Sequence, residues 1–257
     1  MIPQLISDSV VAIGPLPFLM VFIGAALQMT TGVGLGLIAG PFLLFVMDPP
    51  QAIQTAIILN LLLSAIILPT EFRDVQIAPL KHLSLWACIG IPVGGLFLIN
   101  VDGTVLKFIC GIVVLMAALQ MIYVKRAAQS PQSSNRLIRI GGTISGMMTG
   151  ALAIPGPVAL WTLLSTGMEA RKTRATLRAY FVVAYTLALV IHYFLTGFSN
   201  NMLMTSVALI PAVFSGMALG LTVRHRLSAV HLRRILELIL FLMGASLIIK
   251  GVLDTIH

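Results

Sequence analysis

Six long stretches of this chain contain no Asp, Glu, Lys or Arg, and they constrain the fold more than any other feature. A helix needs about 20 apolar residues to cross a bilayer, so the longest stretches have room for two elements each. Charged residues make up 9 % of the chain, against about 25 % in soluble domains. The sequence therefore predicts an all-α integral membrane protein. The uncharged stretches are residues 9–47, 49–70, 82–101, 108–124, 140–168 and 179–223.

Turn residues and charges divide each half of the chain into five apolar elements. The second element of each half is too short to cross comfortably, which favours a re-entrant or broken-helix hairpin formed with the first element. Each half then has one hairpin and three spans, although hairpins that cross completely would raise the total from six segments to ten. The predicted elements are residues 10–29, 33–47, 51–69, 80–99 and 105–124, then 137–153, 157–166, 173–196, 202–223 and 230–252.

The positive charges lie in a few short connections, as expected for the cytoplasmic loops of a membrane protein. The net charge of +8 is therefore interpreted as a topology signal, and nucleic-acid binding is not predicted. Connections near Asp48, Asp102 and residues 197–201 have few or no basic residues and are predicted to be external, which places both termini outside. The predicted cytoplasmic groups are Arg73 with Lys81, residues 125–139, residues 171–174 and residues 224–234.

Three spans in each half is an odd number, so the second half must enter the membrane in the opposite orientation to the first. The sequence thus predicts an inverted repeat. Gly40-Pro41 recurs as Gly156-Pro157, and a Gly-xxx-Gly spacing at Gly90 recurs at Gly216; we interpret the latter as close helix packing. The predicted domains are a first repeat over residues 1–126, a cytoplasmic linker over 127–136 and a second repeat over 137–257.

Glycine and proline residues interrupt an uncharged stretch in each half. Hydrocarbon cannot satisfy the backbone groups that such breaks release, so breaks persist where they line a polar cavity or pack inside protein. Tight packing alone would explain one glycine-rich segment, but two breaks at corresponding positions favour a substrate site between half-helices. The candidate binding residues are Thr30, Thr31, Gly32, Gly34 and Gly36 at the first break, and Thr149, Gly150, Pro155 and Gly156 at the second.

The third element of each half places polar side chains in an otherwise apolar helix, and such side chains tend to face a bundle interior. Arg174 and Arg178 share a helix face and can attract an anion; the alternative is a pair of interfacial anchors. His192 is interpreted as a satisfied interfacial group, with a proton relay as the alternative. The candidate binding residues here are Gln54, Thr55 and Asn60, and in the second half Arg174, Thr176, Arg178 and Tyr180.

At these positions the sequence resembles the sulfite exporter TauE/SafE family of bacterial anion permeases. The resemblance rests on the glycine-rich residues 32–36 leading to Pro41, and on residues 153–157 followed by residues 174–177 and the aromatic pair Tyr180-Phe181. It implies transport of a sulfur-containing oxyanion or a sulfonate, such as sulfite, along a membrane path with no bound cofactor.

Three positions depart from the family pattern, because Leu35, Ala153 and Pro155 stand where the family often has glycine. Pro155 also lacks an N–H donor, which leaves the identity of the anion open. The direction of transport, coupling to protons or other ions, and the oligomeric state, a homodimer included, are equally open. We predict a secondary transporter of a small anion in the bacterial inner membrane, working by alternating access, with the anion and the lipid bilayer as its partners.

Other functions have less support in the sequence. Another small organic acid or solute is the alternative substrate, and a membrane assembly protein is the alternative class. An enzyme would need a nucleophile with a base or clustered metal ligands, and no HExxH motif, carboxylate cluster or Ser/His pairing is present in the sequence. Cys88 and Cys110 lack CxxC spacing. We therefore predict no catalytic residue and no metal site.

Overall fold

The structure, a computed structural model, describes residues 14–127, 135–226 and 229–256. Within these ranges it contains ten α-helices and no strand, which confirms the predicted all-α class. Each helix corresponds to one predicted apolar element, and a short 3-10 helix, Phe72–Asp74, follows the third. The helices are α1 Pro15–Thr31, α2 Leu35–Val46, α3 Pro49–Glu71, α4 Ile77–Asn100, α5 Gly103–Ala127, α6 Asn135–Leu152, α7 Gly156–Leu164, α8 Ala170–Thr196, α9 Asn200–Arg226 and α10 Ala229–Ile256.

Among the described residues, six helices are long and apolar enough to cross a membrane. They are α3, α4 and α5 in the first half and α8, α9 and α10 in the second. The helices α1 and α2 have 17 and 12 residues, and α6 and α7 have 18 and 9, all below the roughly 20 residues of a full span. The protein is thus a multi-pass membrane protein with three long apolar helices in each half.

The four shorter helices form two antiparallel hairpins. In hairpin 1, α2 folds back along α1, so that Gly24 lies against Leu35 and Ile38. In hairpin 2, α7 folds back along α6, where Gly141 packs against Thr162. Because the second helix has only 12 residues in hairpin 1 and 9 in hairpin 2, neither hairpin has the length of two full spans. This agrees with the re-entrant arrangement predicted from element length.

The two hairpins open on opposite sides of the molecule. Arg171 forms an ion pair with Asp74 where α3 has ended and α8 begins, and we call this end the basic side. At the other end, the opposite side, Asp48 and Asp102 line one pocket. Hairpin 1 leads into α3 at Asp48 and therefore opens on the opposite side, whereas hairpin 2 leads into α8 and opens on the basic side.

The main helix contacts are preserved when the two halves are exchanged. Helix α4 packs against α6 and its counterpart α9 packs against α1, while α3 packs against its own counterpart α8, and α5 against α10. The pair α3 and α8 is antiparallel, since Gln54 near the start of α3 bonds Thr196 at the end of α8, and Glu71 at the end of α3 pairs with Arg178. Because exchanging the two halves reverses the direction of the helices, the two halves form an inverted repeat.

Glycine permits the closest contacts between the two halves. Gly90 and Gly94 of α4 lie against the backbone of α6, and Gly216 and Gly220 of α9 lie against the backbone of α1. A Cβ atom at any of these four positions would collide with a carbonyl oxygen of the neighbouring helix. The interpretation of these glycines as packing residues is therefore confirmed.

The boundaries between the predicted domains stay a prediction. Most of the predicted linker, residues 127–136, lies outside the described residues. Its two ends are helical, because α5 continues to Ala127 and α6 begins at Asn135. Residues 1–13 and 257 also lie outside the described residues, and the predicted external placement of the termini is untested.

Candidate functional site

Hairpin 1 turns at residues 32–34, which we call tip 1. Gly32 ends α1 in the left-handed conformation, with φ of 91°, which glycine adopts without steric cost. The buried side chain of Gln28 accepts a hydrogen bond from the backbone N–H of Leu35 at 2.9 Å. One of the unpaired amides at the start of α2 is thereby satisfied from the preceding helix.

Hairpin 2 turns at residues 153–155, which we call tip 2. Ala153 follows the end of α6 and has φ of 58°, a left-handed conformation that costs a residue with a side chain about 1–2 kcal/mol. The hydroxyl of Ser145 donates to the carbonyl of Pro155 at 3.0 Å, and the hydroxyl of Tyr185 donates to the carbonyl of Ala153 at 3.2 Å. Side-chain donors therefore hold two carbonyl oxygens of tip 2.

The two tips meet near mid-height in the bundle. A Cβ atom placed on Gly36 would lie 2.7 Å from the carbonyl oxygen of Ala153, and one on Gly156 would lie 3.1 Å from Cγ1 of Val33. The same position on Gly36 is 3.5 Å from Oδ1 of Asn60, the central residue of the 23-residue α3. The hairpins thus enter from opposite sides and touch halfway along α3.

A narrow cleft remains between the tips. Its volume is about 10 Å³, close to the smallest space that holds one water molecule. An oxyanion with several heavy atoms is larger, so the tips must separate before such an ion can lie between them. The cleft is lined by Gln28, Val33, Gly34, Gly36, Leu37, Ile154, Pro155, Gly156, Phe181 and Tyr185.

Helix N-termini point into this cleft from both tips. Helix α2 begins at Leu35 and α7 begins at Gly156, and both residues are buried. The N-terminal end of a helix carries partial positive charge and amides that can bind an anion. Pro157 in the first turn of α7 has no N–H group, so the two tips are unequal donors.

One face of α8 leads from the basic side to the cleft. Arg174, Arg178, Phe181 and Tyr185 follow one another at spacings of three or four residues, which places them on one helix face. The side chain of Arg174 lies against tip 1, with Cγ 3.4 Å from a Cβ position on Gly32. Arg178 is buried, and Phe181 and Tyr185 line the cleft. Two cationic groups therefore precede the cleft on this face.

Helix α3 carries buried polar atoms that lack partners. Within the described residues, Oγ1 of Thr55, Oδ1 of Asn60 and Oγ of Ser64 have no hydrogen-bond partner, although all three residues are fully buried. Leaving such a group unsatisfied costs about 1–3 kcal/mol, and each case requires an explanation. Polar groups of this kind on a membrane helix are typical of a path for a polar substrate.

The structure brings many of the predicted binding residues together around the tips. Gly34, Gly36, Pro155 and Gly156 line the cleft, and Asn60 faces Gly36. Gly32, Arg174 and Arg178 lie next to this group on the side of tip 1.

The hydroxyl groups near the tips bond to neighbouring parts of the protein. Those of Thr30 and Thr31 donate to the carbonyl of Leu27 in the last turn of α1, and the hydroxyl of Thr31 also lies 2.5 Å from the carbonyl oxygen of Val33 in tip 1. Behind tip 2, Thr149 donates to the carbonyl of Ser145, and the hydroxyls of Tyr180 and Ser145 share a hydrogen bond.

Two predicted binding residues make their contacts near the two ends of the bundle, away from the tips. Gln54 donates to Thr196 and to the carbonyl of Gly197 at the opposite side. The hydroxyl of Thr176 accepts the backbone N–H of Gln76 at the basic side.

Gly150 packs against the backbone of Ile91 in α4. The carbonyl oxygen of Gly150 lies 2.8 Å from Nε2 of His192. His192 is thus a buried side chain that makes a hydrogen bond.

Sequence reasoning missed Gln28, Tyr185 and Glu71 as residues of this region. Gln28 is a polar residue in an uncharged stretch, and Tyr185 follows Arg178 by seven residues on the same helix face; both signals were available. Glu71 lies two residues after the predicted element 51–69 and is indistinguishable in sequence from a loop charge. Its partner Arg178 belongs to the other half of the chain.

The fold and the site define a polytopic α-helical membrane protein of the inverted-repeat class, in which two hairpins meet halfway along the bundle. The chain belongs to the sulfite exporter TauE/SafE family, because the family's sequence model matches residues 17–247 of the 257. The predicted resemblance is confirmed. Neither the curated proteins nor the solved structures compared with the chain give a match. Its function class is accordingly that of a membrane anion transporter family and not of an enzyme family.

Proposed function

We propose that this protein carries a small anion, a sulfur-containing oxyanion or organosulfonate such as sulfite, across the bacterial inner membrane by alternating access. The anion would bind between tip 1 and tip 2, and both termini would lie outside. The observation that carries the proposal is the meeting of two oppositely directed hairpins, each presenting a helix N-terminus to one cleft. Another small organic acid is the alternative substrate.

The chemistry of the cleft supports an anion. Tip 1 would supply the first-turn amides of α2 other than that of Leu35, which donates to Gln28, and Arg174 and Arg178 lie on the adjoining face of α8. At tip 2, Ser145 and Tyr185 donate hydrogen bonds to carbonyl oxygens that would otherwise repel negative charge. Oxyanions are bound well by such N–H groups and by the planar guanidinium group.

The closed cleft supports alternating access as the mechanism. A volume of about 10 Å³ has no room for an oxyanion, so binding requires movement of one hairpin against the other. Because hairpin 1 opens on the opposite side and hairpin 2 on the basic side, their separate movements would expose the cleft to one side at a time.

Flux measurements on reconstituted vesicles test the proposal. Vesicles would be loaded with sulfite, thiosulfate, a sulfonate or a carboxylate, with and without a pH gradient. Gly156→Ala adds a methyl group that lies 3.1 Å from a side-chain methyl of Val33 and has only side-chain atoms as its nearest neighbours, so the variant is expected to fold and to transport more slowly. Gly251→Ala is the matched control, since its Cβ would lie 3.3 Å from Phe108 between α5 and α10. Equal flux in the two variants would reject the cleft as the site.

A further inference from the structure

A buried ion pair lies between tip 1 and the basic side of the molecule. Nη1 of Arg178 pairs with Oε1 of Glu71, and the side chains are 2 % and 21 % exposed. Nη2 of Arg178 also donates to the backbone carbonyl of Met29 at 3.3 Å. The guanidinium group therefore connects α8, the end of α3 and the last turn of α1, two residues before Thr31 ends that helix.

Unpartnered polar atoms on α3 lead from the cleft to this ion pair. Asn60, Ser64 and Glu71 lie at spacings of four and seven residues, which places them on one helix face. Within the described part of the chain, Oδ1 of Asn60, Oγ of Ser64 and Oε2 of Glu71 are buried atoms without a hydrogen-bond partner. Asn60 faces tip 1 at Gly36. At 1.5 Å per residue, the row covers roughly 16 Å of helix.

The chemistry of the ion pair resembles that of the substrate. A guanidinium group binds a carboxylate and a sulfur oxyanion through the same planar array of N–H donors. Glu71 therefore presents to Arg178 the same kind of negatively charged oxygen that an incoming anion would present. A carboxylate and an anion cannot occupy the same donors of Arg178 at the same time.

We infer that Glu71 is a tethered competitor of the transported anion for Arg178. The carboxylate holds the guanidinium group when no anion is bound, and the arriving anion displaces it. Displacement frees the end of α3 from α8 next to tip 1, which couples occupancy to movement of hairpin 1. The inference rests on the proposed anion transport and adds Glu71 as a residue that sets affinity.

A second ion pair on the same side provides a matched comparison. Arg171 and Asp74 also join α8 to the segment after α3, with Nε and Oδ2 2.6 Å apart, but Arg171 is 76 % exposed. An exposed pair is solvated and contributes little. Asp74→Asn removes the same unit of negative charge from the basic side as Glu71→Gln and leaves the buried pair intact.

Equilibrium binding of radiolabelled sulfite to the purified full-length protein in detergent tests the inference. Glu71→Gln is expected to lower the Kd for sulfite about tenfold, a factor in the range expected when a charge-assisted hydrogen bond no longer competes. Asp74→Asn is expected to leave the Kd within about twofold of the unmodified protein. A merely structural ion pair would lower thermal stability in Glu71→Gln without raising affinity, and an unchanged or increased Kd would overturn the inference.

Two further results separate this inference from the proposed function. Sulfite binding by the unmodified protein together with an unchanged Kd in Glu71→Gln would reject the role of Glu71 and leave the proposed function standing. No binding of sulfite, thiosulfate, a sulfonate or a carboxylate by the unmodified protein or by Glu71→Gln would reject both. If Glu71→Gln is not recovered folded, Glu71→Asp replaces it, because the shorter side chain weakens the pair; a smaller decrease in Kd is expected, and no decrease would overturn the inference.

Discussion

Tip 1 and tip 2 occupy equivalent places in the two repeats but present different groups to the cleft. Each follows a helix that ends in a left-handed residue, which is Gly32 in tip 1 and Ala153 in tip 2. At tip 1, the side chain of Gln28 accepts a hydrogen bond from the backbone N–H of Leu35, the first residue of the next helix. At tip 2, Ser145 and Tyr185 donate to backbone carbonyls.

The two tips of the inverted repeat therefore differ in their chemistry. Tip 1 opens into a helix whose first turn contains no proline, although the N–H group of its first residue, Leu35, already donates to Gln28, and the tip lies beside Arg174. Tip 2 loses an amide to Pro157, and hydroxyl groups hold two of its carbonyl oxygens, against one at tip 1, where Thr31 donates to Val33. We therefore expect tip 1 to supply most of the positive potential in the cleft. At tip 2, the hydroxyl donors are expected to weaken the repulsion between the carbonyl oxygens and an anion.

The largest effect is expected where the tips touch. In Gly36→Ala, the new methyl group would lie 2.7 Å from the carbonyl oxygen of Ala153, whereas in Gly40→Ala, one turn later on α2, the nearest atom is 3.3 Å away. Displacing a site by about 1 Å can cost on the order of 100-fold in rate. Vesicle flux should fall by about that factor in Gly36→Ala and change little in Gly40→Ala; similar fluxes would show that contact between the tips is unimportant.

A smaller effect is expected from exposing a carbonyl at tip 2. Tyr185→Phe removes the donor to Ala153, and an unsatisfied buried carbonyl costs about 1–3 kcal/mol. A carbonyl oxygen without a hydrogen-bond donor would repel the anion, and we expect the Kd to rise about tenfold. Tyr193→Phe is the control, because Tyr193 lies on the same helix and is 57 % exposed. Equal sulfite affinities in both variants would contradict the proposed role of this hydrogen bond.

The smallest effect concerns the left-handed residues. Ala153→Gly removes a side chain from a position with φ of 58°, and the free energy of unfolding should rise by roughly 0.5–1 kcal/mol after the entropy cost of glycine. Gly32→Ala places a methyl group no closer than 3.4 Å to its neighbours, so its expected loss of about 1 kcal/mol comes from backbone conformation. Thermal unfolding in detergent measures both changes in stability. If Ala153→Gly and Gly32→Ala shifted the unfolding temperature in the same direction, the left-handed conformation would not explain the difference between the two positions.

The fold could be predicted from the sequence because membrane helices are determined by local properties. Uncharged length, basic loops and glycine or proline breaks gave ten elements that match the ten helices of the described residues. The short second element of each half correctly indicated a hairpin. Gly90 and Gly216 were correctly interpreted as packing residues, since small residues at this spacing have one common use in membranes.

The site could be predicted only in part, because partners come from distant parts of the chain. Asn60 was identified as a polar residue in an apolar helix, and it faces the cleft. The same reasoning identified Gln54, whose partner Thr196 lies at the far end of α8. Glu71 was missed because its burial depends on Arg178, which lies in the other repeat. Polarity marks buried residues, but helix packing decides which of them share a site.

A reversible crosslink between the tips tests most directly the claim that the tips must separate for transport. The Cβ position of Gly156 lies 3.6 Å from Cβ of Val33, within the range of disulfides. The pair Val33→Cys and Gly156→Cys would be made with Cys88 and Cys110 replaced, beside each single-cysteine control. We expect oxidation to stop vesicle flux and reduction to restore it, with crosslinking quantified after the assay because sulfite cleaves disulfides. Undiminished flux through fully crosslinked protein would contradict the account.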